Sequence, residues 1–343
     1  MPASPDATVL YVTHPSFSQH QTGPLHPERT ARLRAVEQGV RETGLTIRTL
    51  SPPPASRDVL ELVHEPSYLD AVERFCRAGG GHLDLDTVVA PSSWEAALRA
   101  AGSGPAAVEE ISASDGLRLA FLALRPPGHH ATSNRAMGFC LINSIAVTAG
   151  WLASRGARVA IVDWDVHHGN GTQEIFYDDS NVLYVSIHQF PFYPYEGAVE
   201  EVGADAGVGA TINIPVPAST AGDVYRMAWD EIICPVLTQY DPDWILVSAG
   251  YDAHADDPLA ELRLQAGDFG WMAGRLSHLR GGKPVLFFLE GGYHLPALTS
   301  SVAASLRGFF EKTLEPSSAF RSTDEGFRSI ERAKVMAARF WSL

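Results

Sequence analysis

Short apolar runs that each end in polar or glycine-rich residues constrain the fold of this chain most strongly. Their near-continuous hydrophobicity indicates strands that are buried on both faces. Amphipathic stretches lie between them, and each is long enough to form a crossover helix. The strand-like runs cover residues 9–12, 119–124, 159–162, 182–187, 244–249 and 285–289, and the helix-like stretches cover 27–43, 92–112, 143–154, 221–240 and 266–279.

This alternation predicts an α/β fold in which a central, mostly parallel sheet has helices on both faces. A length of 343 residues suits either one large domain or two ordinary ones. No repeat, low-complexity block or change in composition divides the chain, and the proline-rich residues 51–54 are too few and too early to link two domains. We therefore predict a single domain that spans residues 1–343.

The composition narrows the class of protein. Hydrophobic residues make up 45% of the chain and charged residues 19%, as in ordinary globular proteins. No apolar run is long enough to cross a bilayer, and residues 1–6 lack a secretory signal, so we expect a cytoplasmic protein without a membrane partner. A formal net charge of −14 disfavours nucleic-acid binding and favours cationic partners. Three cysteines without paired spacing fit a reducing compartment.

Polar clusters follow five of the predicted strands directly. In open parallel sheets, ligands bind beyond the carboxyl ends of the strands. We therefore expect these five strand ends to converge on one pocket. The clusters are residues 125–130, 163–168, His188, 250–254 and 290–293.

The run DWDVHHGNG at 163–171 carries residues with metal-ligand chemistry. Side chains two positions apart on an extended chain point to the same side, so Asp165 and His167 can bind one ion while Asp163 supports them. A carboxylate and an imidazole suit zinc, and Asp252, after another strand, is the expected third ligand. Three protein ligands leave the open position of a catalytic site. The simpler alternative is that both ligand aspartates only cap helices.

A histidine pair is the expected acid–base group. Residues 126–128 (PPG) form a rigid approach that would hold His129 and His130 at a strand end. A neutral imidazole there could accept a proton from an attacking water and return it to a leaving amine. Asp163 and Asn170 are the nearest candidates to orient the two rings. Taken alone, such a pair could equally be packed without a catalytic role.

Tyr293 follows Gly291 and Gly292, which allow the backbone to approach the site closely. Its hydroxyl could donate a hydrogen bond to a developing oxyanion. By itself the motif is also compatible with a turn that is followed by a packing aromatic residue.

Together, these motifs resemble the histone deacetylase superfamily, in order along most of the chain. Asn170, where class I members carry aspartate, and the HPER motif at 26–29 make the chain similar to class II and bacterial class II-like enzymes. The resemblance implies the arginase/deacetylase fold and zinc-dependent hydrolysis of N-acetyl amides. The matching segments are RPPGHHA at 125–131, GFC at 138–140, Asn143, DWDVHHGNGT at 163–172, SIH at 186–188, 248–257 and EGGY at 290–293.

The resemblance also implies the role of each pocket residue. His130 would be the general base and acid, with His129 as its electrostatic companion, and Tyr293 would stabilise the tetrahedral intermediate. Asp163 would pair with His129, and Asn170 with His130. The implied zinc ligands are Asp165, His167 and Asp252.

Further positions would form the substrate channel. Phe139 and Tyr193 would wall a narrow channel around an extended acylated amine, and Gly138 would offer its carbonyl group to it. Asp86 or Thr87 falls where family members contact the substrate amide or backbone.

The resemblance further implies two structural potassium ions. Partly through backbone oxygens, the first ion would be held by Asp163, Asp165, His167, Ser186 and Ile187. The second would lie near Phe176, Asp179 and Val182.

Acetyl-lysine in proteins and acetylated polyamines remain as substrate classes. Eukaryotic polyamine deacetylases of the superfamily place a glutamate directly after Asp-Pro, whereas Leu259 follows Asp257-Pro258 here. Bacterial acetylpolyamine amidohydrolases carry a long insertion before the WEAA-like helix, and the segment 79–97 is short here. Both departures favour an acetyl-lysine peptide as the substrate. An acetylated polyamine remains the alternative.

Two other functions are compatible with the same fold. A binuclear arginase-like hydrolase needs a further carboxylate ligand, which His168-Gly169-Asn170 does not supply. A non-catalytic acetyl-lysine binding protein would explain the pocket, but it would not need the complete catalytic set. An Asp₂His site would also accept iron or cobalt. The sequence leaves the oligomeric state open.

Overall fold

The computed structural model of the chain describes residues 7–279, 282–311 and 320–343. Its strands are β1 (Thr8–Val12), β2 (Thr46–Leu50), β3 (Gly81–His82), β4 (Val88–Val89), β5 (Leu119–Leu122), β6 (Val159–Asp163), β7 (Val182–Gln189), β8 (Thr211–Val216), β9 (Trp244–Ala249) and β10 (Val285–Leu289). Its helices are α1 (Ser16–Gln19), α2 (Ala31–Glu42), α3 (Arg57–Leu60), α4 (Pro66–Arg77), α5 (Ser93–Ser112), α6 (Ser144–Ala153), α7 (Asn170–Ile175), α8 (Gly222–Ala228), α9 (Cys234–Tyr240), α10 (Ala266–Ser277), α11 (Leu295–Phe310) and α12 (Asp324–Ala337).

The described residues form one large parallel sheet with helices packed against it. Its eight strands lie in the order β2-β1-β5-β10-β9-β6-β7-β8, and β3 and β4 form a separate short antiparallel pair. Every pairing within the large sheet is parallel. The predicted α/β fold with a central parallel sheet is therefore confirmed. The prediction of one domain over residues 1–343 stays a prediction, since residues 1–6, 280–281 and 312–319 lie outside the described ranges.

Successive strand residues contribute to two separate cores, because side chains alternate between the faces of a strand. On β1, Val9 and Tyr11 belong to one core, whereas Leu10 and Val12 belong to the other. Helices α2, α10 and α11 supply apolar side chains to the first core, and α4, α5 and α6 supply them to the second. Helices thus cover both faces of the sheet. Within the described ranges, no helix is both long and apolar enough to cross a membrane.

The five strands that precede polar clusters are neighbours in the sheet. They are β5, β10, β9, β6 and β7, in that spatial order. Their ends are also aligned, since Asp163 at the end of β6 pairs with Ser186 of β7 and with Ser248 of β9. The expected convergence of these five strand ends at one edge is therefore confirmed.

The two strands at the edges of the sheet were not predicted. In β2 the sequence TIRTL is at most half-buried, so it lacks the apolar character of a central strand. The sequence of β8, TINIPV, includes Pro215, which a strand tolerates at an edge. Helix α12 packs near β8, and the Trp341 indole N–H donates to the carbonyl oxygen of Gly209 at 2.9 Å.

Two predicted helices differ from the observed ones. The stretch 27–43 becomes helical only at Ala31, because the preceding residues form a turn around a buried Glu28. The stretch 221–240 is divided by a π-helical turn, Trp229–Ile233, between α8 and α9. There the Cys234 N–H donates to the Trp229 carbonyl oxygen, and Pro235 follows without an N–H of its own.

A buried ion cluster joins the N-terminal segment to the sheet. Glu28, Arg32 and Arg125 are each fully buried. The Glu28 carboxylate accepts from both sides of the Arg125 guanidinium, at 2.7 Å for Nη2 to Oε2, and from Arg32 Nη1 at 3.2 Å. Arg125 also donates to the Phe17 and His20 carbonyl oxygens. Burial favours the neutral acid, but the two arginines outweigh it and lower the pKa of Glu28 to about 2.

Glu28→Gln should lower the free energy of unfolding by about 3–5 kcal/mol, because it leaves two buried guanidinium groups without their carboxylate.

The depressed pKa of Glu28 also predicts that the stability of the parent protein depends on pH. Between the ordinary pKa of 4.5 and about 2, the folded state binds fewer protons than the unfolded chain at Glu28. Stability of about 3 kcal/mol is therefore present above this window and is lost as the pH falls through it.

Urea denaturation of the parent and the variant at pH 7, 5 and 3 would measure both effects. Glu37→Gln is the matched control, because Glu37 pairs with Arg41 on an exposed face of α2. It should cost at most about 0.5 kcal/mol. An equal and small loss in both variants, or an unchanged pH slope in Glu28→Gln, would contradict the structural role of the cluster.

Candidate active site

The carboxyl end of β6 brings one histidine and two aspartates into the pocket. Asp163, the last residue of the strand, and Asp165 are fully buried. The carboxylate of Asp163 accepts from the Asp165 N–H at 3.1 Å, and that of Asp165 accepts from the His167 N–H at 2.9 Å. Residues 165–167 form a bend beyond the strand, not the extended chain that the spacing argument assumed, but these local bonds still bring the side chains of Asp165 and His167 together.

Asp252 completes a cluster of three possible metal ligands. One ligand atom from each of Asp165, His167 and Asp252 can be chosen so that all three lie within 4.8 Å of one another. His167 Nδ1 is 3.2 Å from Asp165 Oδ1 and 3.2 Å from Asp252 Oδ2. Tetrahedral ligands about 2.0–2.1 Å from zinc are separated by roughly 3.3 Å, so this donor set fits a zinc ion.

Close backbone approach encloses the cluster. A Cβ atom at Gly291 would lie 1.9 Å from Asp252 Oδ2, and one at Gly250 would lie 2.0 Å from Asp165 Oδ2. The Gly291 N–H donates to Asp165 Oδ2 at 2.8 Å. Neither glycine can therefore carry a side chain without displacing a carboxylate. These close contacts explain the glycine directly after β9 and the glycine two positions after the end of β10.

The cluster needs positive charge, since two carboxylates are buried beside one imidazole. Burial opposes protonation of His167, but Asp165 and Asp252 outweigh it and raise the pKa of His167 to about 10. Mutual repulsion adds to burial in raising the pKa of Asp252. A bound divalent cation would meet the same need.

The two adjacent histidines lie beside the cluster with the partners that were predicted for them. His129 Nδ1 is 3.0 Å from Asp163 Oδ2, and His130 Nδ1 is 2.9 Å from Asn170 Oδ1. The acceptor oxygen of Asn170 assigns the proton of His130 to Nδ1, which leaves Nε2 free to accept one. Both rings are buried and their centroids are 4.1 Å apart.

Their environments separate the two pKa values. Burial lowers the pKa of His129, but Asp163, Asp165 and Glu290 outweigh it and raise the pKa to about 10. Burial, together with His129 and His167, lowers the pKa of His130 well below its usual value. His129 is therefore the cationic member of the pair, and His130 is the neutral one that can act as a base.

Glu290 supports this histidine pair, and the sequence analysis assigned no role to it. Its Oε2 accepts from the Gly128 N–H at 2.7 Å and from the His129 N–H at 3.2 Å. Burial raises the pKa of Glu290 to about 7. Its position directly after β10 is the signal that could have identified it, because every strand-end polar residue was expected to face the pocket.

Aromatic rings surround the approach to the cluster. The ring centroid of Tyr193 lies 5.3 Å from that of His130 and 6.1 Å from that of His167. The ring of Phe139 contacts the rings of Tyr293 at 5.9 Å and His26 at 4.7 Å. The structure therefore brings the predicted channel residues Phe139 and Tyr193 to the same pocket as Tyr293.

The backbone before Phe139 closely approaches the ring of His130. Gly138 has a positive φ of 56°, and a Cβ atom there would lie 2.3 Å from the His130 ring. Asp86 Oδ1 accepts from the Gly138 N–H, and Thr87 Oγ1 accepts from the Phe139 N–H, both at 3.1 Å. Thr87 is fully buried whereas Asp86 is partly exposed. Of the two side chains, only that of Asp86 is therefore partly accessible to solvent.

The residues expected to bind potassium lie in two places, one at the end of β6 and in β7, and the other in the turn before β7. Ser186 pairs with Asp163 across β6 and β7, and its hydroxyl bonds to the His188 ring at 2.9 Å. At the second place, the Asp179 N–H donates to the Phe176 carbonyl oxygen in the turn that leads to Val182. The sets implied by the resemblance are therefore each local in the fold.

Arg32 is another residue that sequence reasoning missed. Its Nε donates to the Gly292 carbonyl oxygen at 2.7 Å, and its guanidinium lies 5.1 Å from the centre of the Tyr293 ring. It also donates to the Glu290 carbonyl oxygen. The long sequence separation between α2 and the loop after β10 leaves no local signal for this contact.

A neutral histidine beside a cluster of candidate metal ligands, with a tyrosine in the same pocket at the carboxyl edge of a parallel sheet, is an arrangement typical of a hydrolytic site. Comparison with known proteins is consistent with a hydrolytic site of this kind. The sequence profile of the histone deacetylase domain matches residues 26–309. The chain therefore belongs to the histone deacetylase family.

Relatives whose names include the word deacetylase occur in plants, archaea and bacteria. The chain is 39% identical to "Histone deacetylase 10, chloroplastic" of Oryza sativa subsp. japonica, over 98% of this chain and 82% of that protein. It is 35% identical to the "Histone deacetylase-like amidohydrolase" of Pseudomonas aeruginosa, over 98% and 92%. The crystal structure titled "HDA15 HD domain" superimposes with a TM-score of 0.88 at 32% identity, over 97% of this chain and 96% of that chain.

Asp165→Ala should abolish stoichiometric metal binding, because it removes one of the three candidate ligands and leaves two. Metal analysis after exhaustive dialysis should give about one zinc per chain for the parent and almost none for the variant. Asp256→Ala is the matched control, since Asp256 is four residues from Asp252 and its side chain is 64% exposed. Stoichiometric zinc in Asp165→Ala would remove Asp165 from the ligand set.

Proposed function

We propose that this protein is a zinc-dependent deacetylase, which hydrolyses the N-acetyl amide of an acetylated amine to acetate and a free amine. The observation that carries the proposal is the position of neutral His130 beside the cluster of Asp165, His167 and Asp252. Three ligands are too few for a closed structural site and suit a catalytic one. A bound zinc ion would polarise the acetyl carbonyl and acidify a water.

Proton transfer falls to His130. Its Nε2 accepts a proton from the attacking water, while Nδ1–H remains bonded to Asn170. The same nitrogen then donates the proton to the amine as the C–N bond breaks. His129 keeps its own proton through Asp163, so its positive charge favours the neutral form of His130 and stabilises developing negative charge.

Tyr293 stabilises the oxygen of the acetyl group as that oxygen gains negative charge. Burial, followed by repulsion from Asp252, raises the pKa of Tyr293 well above its usual value. The phenol therefore stays protonated and can donate a hydrogen bond. The ring contact with Phe139 and the Arg32 guanidinium restrict where the phenol can point.

We extend the proposal to the ions and the location that the sequence favours. Two potassium ions would stabilise the backbone behind the pocket, and the protein would act in the cytoplasm without nucleic-acid or membrane partners. The first ion would use Asp163, Asp165, His167, Ser186 and Ile187, and the second Phe176, Asp179 and Val182.

An acetyl-lysine peptide is the proposed substrate class. In addition to the presence of Leu259 after Asp257-Pro258, two exposed leucines beside the pocket support this choice. Leu25 is 95% exposed and Leu85 is 98% exposed. They precede His26 and Asp86, whose ring and backbone carbonyl bond to each other at 3.1 Å beside Phe139. Exposed apolar groups at the channel entrance can pack against residues that flank a lysine in a peptide, and a polyamine has none.

Tyr293→Phe should retain one zinc per chain and the parent's thermal stability, yet lose about 10²–10³ in kcat, because a single oxyanion donor is removed. Acetate release from an acetyl-lysine peptide would measure kcat, and metal analysis would confirm that the site is loaded. A variant that turned over like the parent would contradict the oxyanion role.

Turnover of matched acetyl-lysine peptide and acetylated polyamine substrates, with and without a chelator, tests the function itself. We expect chelator-sensitive hydrolysis with a preference for the peptide. Preference for the polyamine would move the assignment to the amidohydrolase alternative. Absence of turnover by the zinc-loaded protein would favour a non-catalytic acetyl-lysine binding protein.

Replacing both Leu25 and Leu85 by serine should lower kcat/KM for the peptide about 3- to 10-fold, because partial burial of two apolar side chains is lost. Turnover of the acetylated polyamine should not change. Leu62→Ser is the matched control, since Leu62 is 45% exposed and lies in the turn after α3. Equal losses on both substrates would show that the two leucines do not select for peptides.

A further inference from the structure

Asp257 lies in the loop that carries Leu259, and its side chain faces the loop that carries Tyr293. Its side chain bonds to both. Oδ2 accepts from the Tyr293 N–H at 2.6 Å and from the His294 N–H at 3.1 Å, and Oδ1 accepts from the Leu259 N–H at 3.1 Å. Asp257 is only 6% exposed, so these bonds are shielded from water.

The loop before Tyr293 needs such a bond. Gly291 and Gly292 precede the tyrosine, and Gly292 has a positive φ of 115°. Glycine has the widest backbone freedom of any residue, so these two glycines alone would not fix the position of the Tyr293 backbone. Arg32 holds the Gly292 carbonyl oxygen from one side, and Asp257 holds the next N–H from the other.

We propose that Asp257 is a positioning residue, which sets the place of the Tyr293 phenol in the pocket and links it to the backbone at Leu259. This inference rests on the proposed deacetylase function. Asp257 does not touch the reacting atoms itself. It acts through the backbone N–H of Tyr293, so its removal should affect the steps that need the phenol and spare metal binding.

Asp257→Asn is the informative substitution because it keeps the size of the side chain. One oxygen becomes an NH₂ group, so in either orientation of the amide at least one of the three backbone donors faces another donor. An NH₂ group in place of Oδ2 repels the Tyr293 and His294 N–H groups directly, whereas one in place of Oδ1 repels the Leu259 N–H and shifts the whole side chain. We therefore expect the phenol to move in either orientation. We expect kcat to fall about 10- to 100-fold with KM within about threefold of the parent, since misplacement of a catalytic group affects the transition state most.

A double-mutant cycle separates positioning from general destabilisation. In the Tyr293→Phe background the hydroxyl is already absent, so Asp257→Asn should cost less than about threefold more in kcat. If the fold-decrease in kcat of the double variant equals the product of the two single decreases, the proposal is wrong. Asp256→Asn is the matched control, since Asp256 is the neighbouring residue with an exposed carboxylate.

Ligand affinity gives a readout that does not depend on turnover. A trifluoromethyl ketone hydrate mimics the tetrahedral state and uses the phenol, whereas a simple thiol binds through the metal alone. In zinc-loaded Asp257→Asn, affinity for the ketone should fall at least about tenfold, and affinity for the thiol should stay within about twofold. Equal losses for both ligands, or no loss for either, would overturn the proposal.

Two controls keep the result decisive. If Asp257→Asn lacks a cooperative thermal transition, Asp257→Glu takes its place, because it keeps the charge but moves the oxygens, and the same split between ketone and thiol is expected. If the zinc-loaded parent hydrolyses no acetyl amide, the proposed function fails, whereas the ketone and thiol affinities still test the position of the phenol.

Discussion

Two carboxylates buried against one imidazole are the constraint on which the site depends. Asp165 and Asp252 are both fully buried, and each lies 3.2 Å from His167 Nδ1. Burying like charges together is costly unless a cation lies between them. Strand alignment, close glycine contacts and the neighbouring histidine pair all serve to hold this charge arrangement. The family membership of the chain is consistent with a metal ion in this place.

The pKa values of the adjacent residues His129 and His130 are shifted in opposite directions, and this difference allows the two side chains to play different chemical roles. Asp163 favours the cationic form of His129, and burial together with the charge of His129 lowers the pKa of His130, so that His130 stays neutral. Groups that differ in protonation at the same pH can divide acid, base and electrostatic roles between them. Buried side chains from other elements then fix the loops: Glu290 holds the backbone of the histidine pair, and Arg32 and Asp257 hold the backbone around Tyr293.

The central strands and the pairing of His129 and His130 with their hydrogen-bond partners were predictable, because short sequence motifs indicate both. Asp165 and His167 are two residues apart, and an apolar run before them identifies the strand. Neither edge strand is a continuous apolar run. β2 is largely exposed, and β8, although mostly buried, alternates Thr211, Asn213 and Pro215 with its apolar residues. Contacts such as Arg32 with Gly292 join residues 260 positions apart, and local patterns cannot specify them.

Zinc-edge anomalous diffraction from crystals of the zinc-loaded protein would test the central claim most directly. The account predicts one strong peak bound by Asp165, His167 and Asp252, with a fourth position that is filled by water or substrate and faces His130. A fourth protein ligand would make the site structural. Two metal peaks about 3.5–4 Å apart would instead indicate a binuclear hydrolase and contradict the account.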